Sequence, residues 1–141
     1  MADATTGVMR TSRRTLWIGT YPVAGSAAPT GRGEGIWTVS LDPHTGALAD
    51  ARQVAVTPAP SFLAWGADEN LLYATNEEAE GHLSVWRRTS QSLELVGIAS
   101  TGGAHPCHVF VHGATSTALV ANYTSGSLAV IQLDADGIPT A

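Results

Sequence analysis

Short apolar runs separated by polar turns recur along the whole chain, and no stretch holds the 3.6-residue period of an amphipathic helix. The runs are rich in Val, Leu, Ile, Trp and Thr, and between them lie "DPHTG", "GADEN", "TSQS", "HGATST" and "DADG". Those segments carry the Gly, Pro, Asn, Asp and Ser that a chain reversal needs. The pattern predicts strands at 14–21, 35–41, 51–56, 60–66, 71–76, 82–88, 93–99, 106–112, 117–122 and 127–133. Every predicted element is β.

The strands repeat as groups. "PSFLAWGADENLLYATNEEAEGHLSVW" (60–86) aligns with "PCHVFVHGATSTALVANYTSGSLAVI" (106–131), with Pro60 and Asn76 each 46 residues before Pro106 and Asn122, and Gly81 45 before Gly126. A looser copy comes first: Gly35 lies 46 residues before Gly81, and Thr20 and Tyr21 take the places of Asn76 and Glu77. Its extra length falls in the Gly/Pro/Ala loop from Pro22 to Glu34. Four short strands, a to d, joined as a meander within about 46 residues describe a β-propeller blade.

The expected fold is therefore all-β, an incomplete propeller arc of about three four-stranded blades. Residues 1–13 are expected to form a flexible N-terminal segment and 14–141 the partial propeller. Within it, 14–56 form a blade without its first strand, 57–101 a complete blade, and 102–141 a blade that stops after strand c. An open arc exposes blade faces and strand edges, so the chain is expected to be part of a longer protein whose C-terminal blades close the ring. The alternative is a small sandwich of about ten strands, in which the repeat would be incidental.

Charge narrows the partners. The sequence carries 12 acidic and 7 basic residues for a net charge of -5, which argues against a nucleic-acid binder or a basic membrane-surface module. All the basic residues are arginine, so Schiff-base and Walker lysines are both absent. A single cysteine, Cys107, makes no disulfide within the chain and no zinc ribbon, which fits a reducing compartment. No apolar stretch approaches the roughly 18 residues of a membrane span. Arg13 and Arg14 before an apolar run superficially resemble a twin-arginine export signal; the rival reading makes Leu16 to Tyr21 a strand of the fold.

A meander sorts its loops by face. The a-to-b and c-to-d connections are plain turns, whereas the d-to-a and b-to-c connections hold "TGGAHPCH", "TNEEAEG", "NYTSG" and "TYPVAGSAAPTGRGEG". That face gathers Thr20, Tyr21, Arg32, Glu34, Asn76, Glu77, Glu78, Glu80, His105, His108, Asn122 and Tyr123. There His108 or Glu77 suits a general acid or base, and Asn and Tyr side chains suit hydrogen bonds to a polyhydroxy or carboxylate ligand. Each has a plainer reading as well: asparagines satisfying loop backbone, tyrosines stacked between blades, glutamates as solvated charge. His105, His108 and His112 do not make a metal set, because 105 and 108 project to opposite faces of an extended strand and 112 lies at its far end. Cys107 alternates with His108 and suits the packed side.

The segments "IGTY", "GIWTVSLDPHTGAL", "PSFLA", "LLYATNE", "TGGAHPCH" and "LVANYTSGSLAV" together resemble the lactonase family of seven-bladed β-propellers, which includes propeller-type 6-phosphogluconolactonases and carboxy-muconate cyclases. The resemblance implies a cytoplasmic lactone enzyme that needs no metal or other cofactor, with its cleft at one end of the propeller channel. It implies hydrolysis of a sugar lactone such as 6-phosphogluconolactone, or lactone-forming chemistry on a muconate. His108 stands at the histidine of the family's "PCH", Glu77 at the acid of "NE", and Asn122 and Tyr123 in "ANY"; these positions make His108 and Glu77 the catalytic candidates. Thr20, Tyr21, Asn76, His105, Asn122 and Tyr123 are the substrate-binding candidates, although His105 replaces what is more often a small residue. Only Arg32 is available on that face for a phosphate, so the 141-residue chain alone is expected to lack lactonase activity. A competing reading is a non-catalytic binding propeller of the Tyr-Val-Thr-Asn repeat type, which has no need of "TGGAHPCH".

Overall fold

The computed structural model describes residues 12–21, 34–67 and 69–140. They form ten strands: β1 (Arg14–Gly19), β2 (Ile36–Leu41), β3 (Leu48–Ala55), β4 (Pro60–Trp65), β5 (Leu71–Asn76), β6 (His82–Arg88), β7 (Leu93–Ser100), β8 (Pro106–His112), β9 (Thr117–Asn122) and β10 (Ser127–Gln132). Consecutive strands pair antiparallel in three sheets, β1-β2-β3, β4-β5-β6-β7 and β8-β9-β10. The apolar run after Arg13 and Arg14 is thus a strand, paired with β2 along its whole length.

The sheets stack face to face through two apolar layers. Ile36, Val54, Leu72, Ala74, Trp86 and Leu93, with Trp17, Leu63 and Trp65 against them, fill the space between the first and second sheets. Tyr73, Leu83, Val85, Val109, Val120 and Ile131 fill the space between the second and third. Alternation across a strand explains how β5 serves both: Leu72 and Ala74 point one way, Leu71 and Tyr73 the other. All six residues of β5 are buried, which is why it reads as an almost continuous apolar run instead of an alternating one. The Trp86 indole N–H is satisfied inside its layer by Ser84 Oγ at 2.9 Å.

The stacking order fixes which strands are inner. β4 packs against β1 on one side and β8 on the other, β5 also touches β8, and β3 touches β7 at the outer edge. The two outward faces of the stack remain open, with Ile18 39%, Phe110 51%, Leu128 61% and Val130 66% exposed.

Most strands lie within a residue or two of their expected bounds, β1 ending at Gly19 two residues early, and β3 departs furthest. β3 begins at Leu48, three residues before the pattern indicates, and its pairing with β2 shifts register between Thr38 and Ser40. Asp50, in that stretch, has φ 55°, a local kink that breaks the alternation by which a strand is read from sequence.

Candidate active site

β1, β5 and β9 end, and β4 and β8 begin, at one end of the stack, so the sequence-selected residues share a face. What each does there differs. Asn76 is buried, and its side-chain N–H groups donate to Thr57 Oγ1 at 2.8 Å and Pro58 O at 2.6 Å. Asn122 is buried likewise, donating to Thr101 O at 3.2 Å and Ser127 Oγ at 3.1 Å. In the first sheet Thr20 Oγ1 donates to Gly35 O at 2.7 Å and accepts from Gly35 N at 3.1 Å. Asn76 and Asn122 tie their b-to-c loops to the d-to-a connections, and Thr20 joins the two ends of its own b-to-c connection, a placement inside the loops and not on the open face. Asn76 Oδ1 and Asn122 Oδ1 are buried without a hydrogen-bond partner among the described residues.

The d-to-a segment 101–105 and the b-to-c loop 77–81 are sewn together. Gly81 N donates to Gly103 O and Thr101 N to Gly81 O, both at 2.9 Å, while Thr101 Oγ1 adds a bond to Gly81 O at 3.1 Å. Ala104 N reaches Ser125 Oγ at 2.7 Å, tying in the next loop. The glycine pair here has a steric cause: Gly102 has φ 62°, and a Cβ on Gly103 would lie 2.5 Å from Asn122 Nδ2. Beside these loops lies a hollow of about 400 Å³ lined by Glu80, His82, Ser100, Gly102, Gly103 and Ser125, among others.

The remaining candidates are more open. Tyr21 is 53% and Tyr123 77% exposed. Glu77 is half-buried at the end of β5, its backbone N–H held by Ala59 O at 2.9 Å, and its carboxylate has no partner among the described residues. His105 is half-buried; its N–H donates to Glu78 O and its carbonyl accepts from Tyr123 N, both at 2.8 Å, so its backbone bridges two sheets. Its Nδ1 is buried and unpartnered among the described residues.

His108 sits one residue past the bulge that breaks the β8–β9 register between Pro106 and His108. Val109 turns into the core, and His108 is exposed on the other side of β8. Its ring lies against Phe62, centroids 4.3 Å apart and planes at 45°. Cys107 is half-buried, with Sγ 3.8 Å from Ala121 O. His112, at the far end, places Nδ1 2.8 Å from Thr115 Oγ1. Among the described residues no group of three or more His, Cys, Asp or Glu could hold a metal ion. Arg32 lies outside the described residues.

Sequence reasoning missed the partners of these groups: Phe62 under His108, Thr57 and Thr101 beneath the asparagines, and Ser125 and Ser127 across the loop. A usable signal existed for the threonines only in that each follows shortly after a strand d, and Asn122 uses the Thr101 backbone carbonyl, which any residue would supply. The aromatic contact had none.

Stacked antiparallel meander sheets, their polar loops gathered at one end, define an arc of a β-propeller. The chain belongs to the lactonase family of seven-bladed β-propellers, whose description matches residues 15–141. It is 28% identical over 124 residues to the 6-phosphogluconolactonase of Bacillus subtilis (strain 168), covering 86% of this chain and 34% of that protein. Its fold superposes with a TM-score of 0.79 on the periplasmic gluconolactonase of Pseudomonas aeruginosa, at 28% identity, over 92% of this chain and 37% of that one. A candidate 6-phosphogluconolactonase from Bacteroides uniformis gives 0.75 at 30% identity, over 92% and 36%. The chain spans about a third of the length of these relatives.

Proposed function

We propose that the protein carrying this chain hydrolyses a sugar lactone, with 6-phosphogluconolactone as the substrate, and that His108 is its general base. The observation that carries this reading is the position of His108. It is exposed on the inner strand β8 at the loop-bearing end, its ring tilted at 45° against Phe62 and with no hydrogen-bond partner among the described residues. In the proposed reaction, imidazole accepts a proton from water as the oxygen attacks the lactone carbonyl carbon. The ring C–O bond then breaks, and the leaving ring oxygen takes the proton from the imidazolium to give the open hydroxy acid. Glu77 directly follows β5, which packs on β8, and is the second proton-transfer candidate. Tyr123, 77% exposed, is the candidate to donate its hydroxyl to the sugar or the developing oxyanion.

None of the described arginines lies in a loop of this face, so the substrate phosphate and part of the oxyanion hole draw on groups beyond the described residues. Further blades that close the ring are the natural source, because the outward faces of the stack are open and apolar. We place the reaction in the cytoplasm on the strength of the lone cysteine; fractionation of the tagged protein tests this, and recovery in the periplasm would overturn it.

A non-catalytic binding propeller is the second reading. It is favoured by the lack of any hydrogen-bond partner orienting the His108 ring among the described residues. Lactone hydrolysis by the full-length protein, followed at constant pH through acid release, separates the two. Turnover abolished by His108→Ala supports the enzyme, and no turnover by the wild type supports the binder.

A further inference from the structure

Away from the loop-bearing end, between the first and second sheets, lies a hollow of about 290 Å³ whose lining includes Thr15, Trp17, Thr38, Arg52, Arg88 and Gln91. Positive charge is scarce in this acidic chain, which has seven basic residues, yet two arginines converge here. Their state differs from that of their neighbours. Arg13 pairs with Asp50 and Arg87 with Glu94, each at 3.6 Å, whereas Arg52 and Arg88 have no carboxylate partner among the described residues.

Both arginines are exposed, and each guanidinium has one uncharged neighbour. Arg52 Nη1 donates to Gln91 Oε1 at 3.3 Å. Arg88 lies 5.4 Å from the centroid of the Trp65 ring, and Trp65 in turn meets Trp17 edge-on at 5.2 Å. Stacking occupies the face of a guanidinium and leaves its in-plane N–H fork free, the geometry that matches two oxygens of a phosphate or carboxylate. The Thr15 and Thr38 hydroxyls add two donors with no side-chain hydrogen bond among the described residues, and half-buried Trp17 offers an aromatic wall.

We propose that this hollow binds a phosphorylated, hydroxyl-bearing small molecule, its phosphate between Arg52 and Arg88 and its body against Trp17. The site is separate from the candidate active site and acts independently of lactone chemistry.

The test is a ¹H–¹⁵N NMR titration of the full chain at constant ionic strength, with glucose 6-phosphate and with glucose. It follows the Trp17 indole N–H, the Arg52 and Arg88 Nε–H, and the amides of His108 and Tyr123. Glucose 6-phosphate should give a saturable shift at Trp17, Arg52 and Arg88, and glucose none. Arg52→Gln and Arg88→Gln should each weaken binding at least about tenfold. Arg87→Gln removes the same charge from the opposite face of β6 and should change affinity by less than about twofold. The far-UV circular dichroism of each variant checks that it is folded, and the wild-type titration is decisive even if a variant is not. No saturable shift at these groups, shifts confined to His108 and Tyr123, or equal weakening by Arg87→Gln would overturn the proposal.

Discussion

Ala59 and His105, 46 residues apart, stand at the same point of successive sheets and share a left-handed backbone, φ 39° and 55°, directly before the proline that opens an inner strand. Each carbonyl accepts the N–H that follows a buried asparagine, Glu77 N at 2.9 Å and Tyr123 N at 2.8 Å. Such conformations cost non-glycine residues roughly 1–3 kcal/mol, so the joint is imposed by the loop it anchors. His105 is thereby placed by backbone requirements, whatever its ring does.

His105→Gly should therefore leave the stability unchanged or raise it slightly, the relieved strain offsetting the added freedom of the unfolded chain. His105→Val, branched at Cβ, should lower it by about 1–2 kcal/mol. Urea denaturation of both variants gives the comparison, and equal destabilisation would show that the ring, not the backbone, is what the site requires.

The Asn122 side chain and Gly103 form one contact. Asn122→Ala removes two hydrogen bonds and should lower stability by about 1–3 kcal/mol. Gly103→Ala places a methyl 2.5 Å from the Asn122 amide and should also destabilise. The double variant should fall short of the sum by about 0.5–3 kcal/mol, because both changes break the same joint. Strict additivity in a double-mutant cycle would contradict it.

Acid sensitivity has one identifiable source in the c-to-d turn of the first sheet. Asp42 Oδ1 accepts the N–H of His44 at 2.9 Å and of Thr45 at 3.3 Å, and these bonds hold its carboxyl below the ordinary 3.8. Since the folded state depresses this pKa, the stabilisation is fully present above about 3.8 and is lost as the pH falls through the lower folded value. Asp42→Ala should thus be less stable than the wild type at about pH 7, with the difference shrinking toward about pH 2. Thermal midpoints across that range measure it, and a pH-independent difference would assign the effect to packing.

Much of this was legible in the sequence because blades repeat. The spacing of Pro60 with Pro106 and Asn76 with Asn122 placed the strands and the loop-bearing face, since alternation and turn chemistry are local properties. Side-chain roles were less accessible. Asn76 and Asn122 stand on the expected face yet turn into the loops, because their partners, Thr57 and Thr101, depend on how one strand d docks beside the next strand a. In "TGGAHPCH", Gly102 answers to a left-handed backbone, φ 62°, and Gly103 to the close approach of Asn122. The kink at Asp50 and the Phe62–His108 contact arise from pairing and stacking between segments, which no local pattern records.

The central claim is that His108 is the base of a lactone-hydrolysing site, and it is tested most directly by steady-state turnover of 6-phosphogluconolactone by the full-length protein and its His108→Gln variant. A loss of about 10²- to 10⁴-fold in kcat, with the thermal midpoint retained, is the expected result. A loss below about tenfold would make His108 a loop-shaping residue and contradict the account.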